Sequence, residues 1–148
     1  MTHGIRCDGL KKLAGITAGM AAFTLVMLGS DARAGGIEGT WLSQSGDTQV
    51  RIAPCGGSPC GTIMWLKEPL PDSNNPDPAK RGRALIGVQM ISGLSPAEGD
   101  RWNGQLYNFE TGKTYSGSLE PIGNDKLKLS GCVLGGMLCR NQVWTRVK

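Results

Sequence analysis

Three cations and two tyrosines carry most of the chemistry this sequence offers. Arg81 and Arg83 close the run NNPDPAKRGR, Lys113 and Tyr115 lie within GKTY, and Tyr107 ends WNGQLY. Guanidinium groups beside ammonium and hydroxyl donors suit capture of an anionic group, with arginine able to bind it bidentately. These five residues form the candidate ligand-binding set. Strand alternation places Tyr107 on the face opposite Trp102 and Leu106, so its direction stays open. The charged loop also has a purely structural reading. Asp72 or Asp77 would pair with Arg81 or Arg83, and Asp77 would N-cap one helical turn begun by Pro78.

Catalytic chemistry is poorly served. The one histidine is His3, which falls in the leader described below. Its loss removes Ser-His-Asp and Cys-His machinery, histidine-ligated metals and the side chain that most often does acid–base work near neutrality. TGKT lacks the first glycine of a phosphate loop and a following helix. Lys113 and Tyr115 would make an acid–base pair, but such residues more often mark a hairpin turn and a half-buried strand position. No catalytic residue, metal or cofactor is expected, and the chain is read as a non-enzyme.

The first 34 residues read as a secretory signal peptide. Arg6, Lys11 and Lys12 precede an apolar run from Ala14 to Gly29, and Ala32 to Ala34 supplies a small-x-small cleavage site. The run is shorter than the roughly 20 residues that span a bilayer. Cleavage after Ala34 would release a single domain over 35–148, periplasmic or secreted, without a stable membrane span. That domain keeps twelve basic and ten acidic side chains. So weak a positive charge, with no basic stripe, excludes nucleic acid as the expected partner.

Four cysteines remain, in PCGGSPCG (Cys55, Cys60) and GCVLGGMLCR (Cys132, Cys139). Four allow three pairings. An oxidising compartment favours disulfides, and local pairs closing short glycine-rich turns are expected over cross-pairs. Zinc ligation would want tighter C-x2-C spacing.

The elements that would position these residues are short strands. No long segment has apolar residues at helical spacing. Alternating or β-rich runs between turn residues predict strands over 38–44, 47–53, 61–67, 85–91, 101–107, 113–120, 125–131 and 141–147. Val50 and Ile52, Ile63 and Trp65, and Leu127 and Leu129 show the alternation. The connections are mostly short, so the order predicts an antiparallel meander. Closure into a small eight-stranded up-and-down barrel removes the edges; a β-sandwich is the alternative. Such a barrel is filled by side chains or holds one small ligand, in a shallow cavity.

GTW (Gly39 to Trp41) opens the first strand and WTR (Trp144 to Arg146) ends the last. In a closed barrel these strands are neighbours, and an arginine can stack on the tryptophan to cap the floor. This pattern resembles the calycin pattern of lipocalins and fatty-acid-binding proteins. Over nearly the whole of 35–148 the chain also resembles the bacterial DUF2147 family. The ordered matches are GTW, PCGGSPCGTIMWLKEP, NNPDPAKRGRALIGVQMISGL, WNGQLY, TGKTYSGSL and CRNQVWTR; they depart at YNFETG, where the family reads more like YDPEDG. The resemblance implies a lipocalin-like barrel and an envelope location, with no established reaction. The resulting expectation is a binding protein for a small, partly apolar, anionic ligand. The alternative is an envelope module that acts on a protein partner or the cell wall.

Overall fold

The computed structural model describes residues 36–148, so the expected leader and its cleavage site lie outside the described residues. Eight strands form one closed antiparallel barrel in chain order: β1 (Gly39–Leu42), β2 (Thr48–Pro54), β3 (Pro59–Leu66), β4 (Gln89–Pro96), β5 (Trp102–Asn108), β6 (Lys113–Ile122), β7 (Lys126–Val133) and β8 (Leu138–Arg146). The expected meander is therefore present, and the sandwich is not. Closure is made where β1 meets β8, with Trp41 opposite Arg146 and Leu42 opposite Thr145. Gln44 lies beyond the end of β1. Its Oε1 accepts from the Val143 N–H at 2.9 Å, continuing the seam with a side chain.

The inward-facing residues make one core that includes Ile37, Trp41, Ile52, Ile63, Ile91, Leu119 and Leu127. Burying an aliphatic side chain of this size contributes about 1.5–3 kcal/mol, and the inner faces of all eight strands supply such residues or glycine. Among the described residues no helix is long and apolar enough to cross a membrane.

Two strand expectations are corrected. The fourth strand was expected over 85–91 but runs Gln89–Pro96. Leu85 and Val88 are buried, yet they sit in a turn closed by Val88 N–H donating to the Leu85 carbonyl at 3.0 Å. Their apolar character reports packing of a folded-back loop on the core. The strand then passes the turn-like residues 92–96 because Gly93 takes φ 60° within a register shift between Ser92 and Ser95. A glycine bulge of this kind lets a strand bend and go on. Ile63 and Trp65 do not share a face as read. The register slips between Gln49 and Val50, which pair with Trp65 and Ile63. Ile63 is buried while Trp65 is 40% exposed, with Leu66 turned inward in its place.

Both local cysteine pairs are disulfides. Cys55–Cys60 closes the β2–β3 hairpin and Cys132–Cys139 clamps the β7–β8 hairpin. Up-and-down connectivity puts them at opposite ends of the barrel. One end carries the β2–β3, β4–β5 and β6–β7 turns; the other carries the β1–β2, β5–β6 and β7–β8 turns and the long 67–88 loop.

Candidate functional site

The first of these ends is sealed. Trp41 is fully buried, and its Nε1 donates to the Ile37 carbonyl at 2.8 Å. The Arg146 guanidinium lies over the ring, with Cζ 4.1 Å from the centroid. Its N–H groups donate to the carbonyls of Glu38 and Asn124 at 2.6 Å and of Gly36 at 3.3 Å. Arg146 thus ties the entry to β1 and the β6–β7 turn to the end of β8. Gly39 explains the first letter of GTW. It sits at φ 132°, and a Cβ there would collide with Arg146 Nη1. The tryptophan–arginine plug needs a residue with no side chain beside it.

The other end is open. A cavity of about 570 Å³ enters the barrel there. Its wall is largely apolar, with Met90, Leu106, Phe109, Leu129, Val133, Leu138 and Trp144; polar groups gather at the rim on Ser43, Asp47, Glu110 and Arg140, with Gln142 deeper. Space exists because Gly131 faces inward on β7. A Cβ built there would touch only Leu106 and Tyr115, at 3.8 and 3.9 Å. Near the base, Trp144 Nε1 donates to Gln142 Oε1 at 2.9 Å, so the indole has its partner without water.

Two of the five candidate residues line this cavity, Tyr107 and Tyr115. Arg81, Arg83 and Lys113 do not. Arg83 turns to Asp72, whose carboxylate is fully buried, and donates through Nε and Nη2 to Oδ2 at 3.0 and 2.8 Å. Asn75 Nδ2 donates to the same oxygen at 2.7 Å, and the Tyr107 hydroxyl donates to Oδ1 at 2.5 Å. Arg81 donates through Nε to the Asn75 carbonyl at 2.8 Å. Asp77 accepts from the Ala79 N–H at 3.0 Å and caps a 3₁₀ turn over Pro78–Lys80. It pairs with Lys80, at 3.5 Å, and not with an arginine. Lys113 lies in an outer hollow shared with Leu134 to Gly136.

The loop is therefore a strap anchored on one carboxylate. Burial pushes the Asp72 carboxyl up, but the Tyr107 hydroxyl, the Asn75 amide and the Arg83 guanidinium outweigh it and hold it below the ordinary carboxylate value. The same arrangement acts oppositely on Tyr107. Burial, the hydrogen bond it gives and the neighbouring negative charge push its hydroxyl up to about 12. Asn74 completes the strap, its Nδ2 donating to the Glu110 carbonyl at 2.9 Å in the β5–β6 turn. At the opposite rim Asp47 is held low first by the Ser45 hydroxyl, against burial, with help from Ser43 and Thr48.

The sequence reading missed Arg140 and Gln142. Gln142 was within reach, two residues before Trp144 in the strand expected over 141–147. Arg140 was not, because β8 begins at Leu138, three residues earlier than expected, and only that longer strand sets Arg140 and Leu138 on the same face. Among the described residues Arg140 has no carboxylate within 4.0 Å. It is the cavity's cation, facing a rim that also carries Asp47 and Glu110. Among the described residues there is no group of three or more His, Cys, Asp or Glu placed to hold a metal ion.

Comparison with known proteins agrees with this architecture. The model of the family DUF2147, described as "Uncharacterized protein conserved in bacteria", matches residues 39–146. No curated protein matches the chain. Among solved structures the chain is similar to protein HP1028 from Helicobacter pylori, described as belonging to the lipocalin family. The two share 22% identity over 75% of this chain and 82% of that one, with a TM-score of 0.68. Likeness at that identity shows the lipocalin-like fold.

Proposed function

We propose, for a chain that belongs to the DUF2147 family, that the barrel mouth binds a small amphipathic ligand without chemical turnover. The observation that carries this reading is the open cavity of about 570 Å³, apolar within and polar at its rim. Pockets of a few hundred cubic ångströms with apolar walls and a few placed polar groups suit one small molecule. The apolar body would pack against Leu106, Leu129 and Trp144. An anionic group would meet Arg140; Arg83 is already neutralised by Asp72 and lies outside the cavity. Asp47 and Glu110 on the same rim would limit that attraction, favouring a singly charged or zwitterionic head over a multiply charged one. Periplasmic or secreted location is part of the proposal, and the two disulfides support it.

Native mass spectrometry of the protein purified from its host tests the reading. The expected result is a retained small molecule that Arg140→Ala releases at lower energy. A bare protein mass, together with no uptake of the anionic naphthalene dye ANS, would contradict it.

A further inference from the structure

The β7–β8 hairpin ends in a tip that the core does not explain. Residues 133–139 carry no charge, and three of their apolar side chains point into solvent: Leu134 is 74% exposed, Met137 87% and Leu138 59%. Leu134 is also held at φ 55°, outside the conformations a leucine prefers. Neither burial nor backbone geometry favours leucine at that position. A strained, exposed apolar residue on a clamped turn points to a use outside the fold. The clamp is the Cys132–Cys139 disulfide, with the Met137 N–H donating to the Leu134 carbonyl at 3.3 Å inside it.

We propose that this tip docks the barrel mouth onto the surface of an anionic phospholipid bilayer. Three observations select that occupant. The tip is too small for a stable protein interface, which takes about 800 Å² and 20–30 residues from each partner. Its reach suits a bilayer interface. Beyond the disulfide lie one strand pair, Val133 opposite Leu138, with a rise of roughly 3.3 Å, and a 3₁₀ turn over Leu134–Gly136. Together with the exposed side chains these match the shallow ~5–10 Å depth at which interfacial apolar groups sit. And two cations flank it. Lys113 shares the outer hollow with Leu134 and the two glycines of the tip, and Arg140 lies on the cavity side, two residues after Leu138. Among the described residues neither cation has a carboxylate within 4.0 Å, so both are available to lipid phosphates. Val133 and Leu138 line the cavity and bracket the tip, so docking would bring this side of the mouth against the lipid surface. Asp47 and Glu110 on the same rim oppose the attraction, which leaves the apolar tip to supply the insertion and Lys113 and Arg140 to supply the preference for anionic lipid. The docking itself does not require that the cavity be filled.

A tryptophan at the tip reports on this directly. Met137→Trp sits at a solvent-exposed position of ordinary backbone (φ −77°), and its emission is read as the difference from the parent protein. The probe is phosphatidylcholine vesicles containing phosphatidylglycerol. The expected result is a blue shift of the added emission, quenching by brominated acyl chains, and a several-fold loss of both in Lys113→Glu and in high salt. Added emission unchanged by vesicles overturns the proposal, whatever the outcome of ligand tests on the cavity. So does a blue shift that depends on protein concentration without lipid, which would assign the tip to a second copy of the chain.

Discussion

The two ends of this barrel use the same kinds of residue in opposite ways. At the closed end a tryptophan and an arginine are brought together, and the guanidinium donates to three backbone carbonyls over a buried ring. At the open end a tryptophan and an arginine also share one strand face, Trp144 and Arg140. Here the wall between them and Tyr115 is left empty at Gly131. An arginine with every partner supplied by the protein is a structural bolt; one without a carboxylate partner beside a cavity is available to something else. The difference lies in which neighbours each side chain has, and residue type alone does not report it.

The sharpest break in that comparison is removal of the plug. Trp41→Ala empties a fully buried site and strands Arg146 over it, so the barrel should lose about 3–5 kcal/mol of stability. Urea denaturation measures it. A loss below about 1 kcal/mol would mean that the closed end is not what holds the barrel.

The strap at the open end should matter less. Asp72→Ala removes the anchor shared by Arg83, Asn75 and Tyr107 and is expected to cost about 2–3 kcal/mol, toward the low end for charge-assisted bonds lost by a buried group because Arg83 is partly exposed. Proteolysis within 72–83 should speed up at the same time. Unchanged protection would show that the loop is held by its backbone bonds alone.

The smallest effects are in titration. Tyr107 is one of two tyrosines, so in a Tyr115→Phe background the phenolate absorbance near 295 nm belongs to Tyr107. Its midpoint should lie at about 12. A raised hydroxyl contributes stability fully below its ordinary value near 10 and loses it as pH rises through 12. For Asp72, held low in the folded chain, the contribution is present above about 3.8 and is lost as pH falls through its lowered value. A tyrosine midpoint near 10 would mean the bond to Asp72 is absent in solution.

The closed end was legible in the sequence because its parts lie on adjacent edges of one meander: GTW at the start and Arg146 at the end, which closure forces together, while Trp144, read with them, faces the cavity instead. The cysteine pairs were legible for a similar reason, each being local to one hairpin. The mouth was harder to read. Arg81 and Arg83 stood out as a charged cluster, yet a cluster does not reveal that a buried Asp72 eleven residues earlier has already taken one of them. Tyr107 points to that carboxylate because its strand face looks onto the strap, as the alternation allowed. Arg140 follows Cys139 and precedes the strand expected over 141–147, so the sequence assigns it to the cysteine turn; β8 in fact starts at Leu138 and carries it on the Trp144 face. The shifted fourth strand failed differently, since Leu85 and Val88 are apolar for the sake of loop packing.

Filling the mouth without touching the plug tests the central claim most directly. Gly131→Leu projects into the cavity from a backbone that accepts a Cβ at ordinary contact distance. Titrating ANS into the parent and the variant, with denaturation as a control, gives the answer. The account predicts saturable binding in the parent, at least tenfold weaker binding in Gly131→Leu, and stability within about 1 kcal/mol of the parent. Equal dye affinity in the two proteins would contradict it and would leave the open end without its role as a binding site.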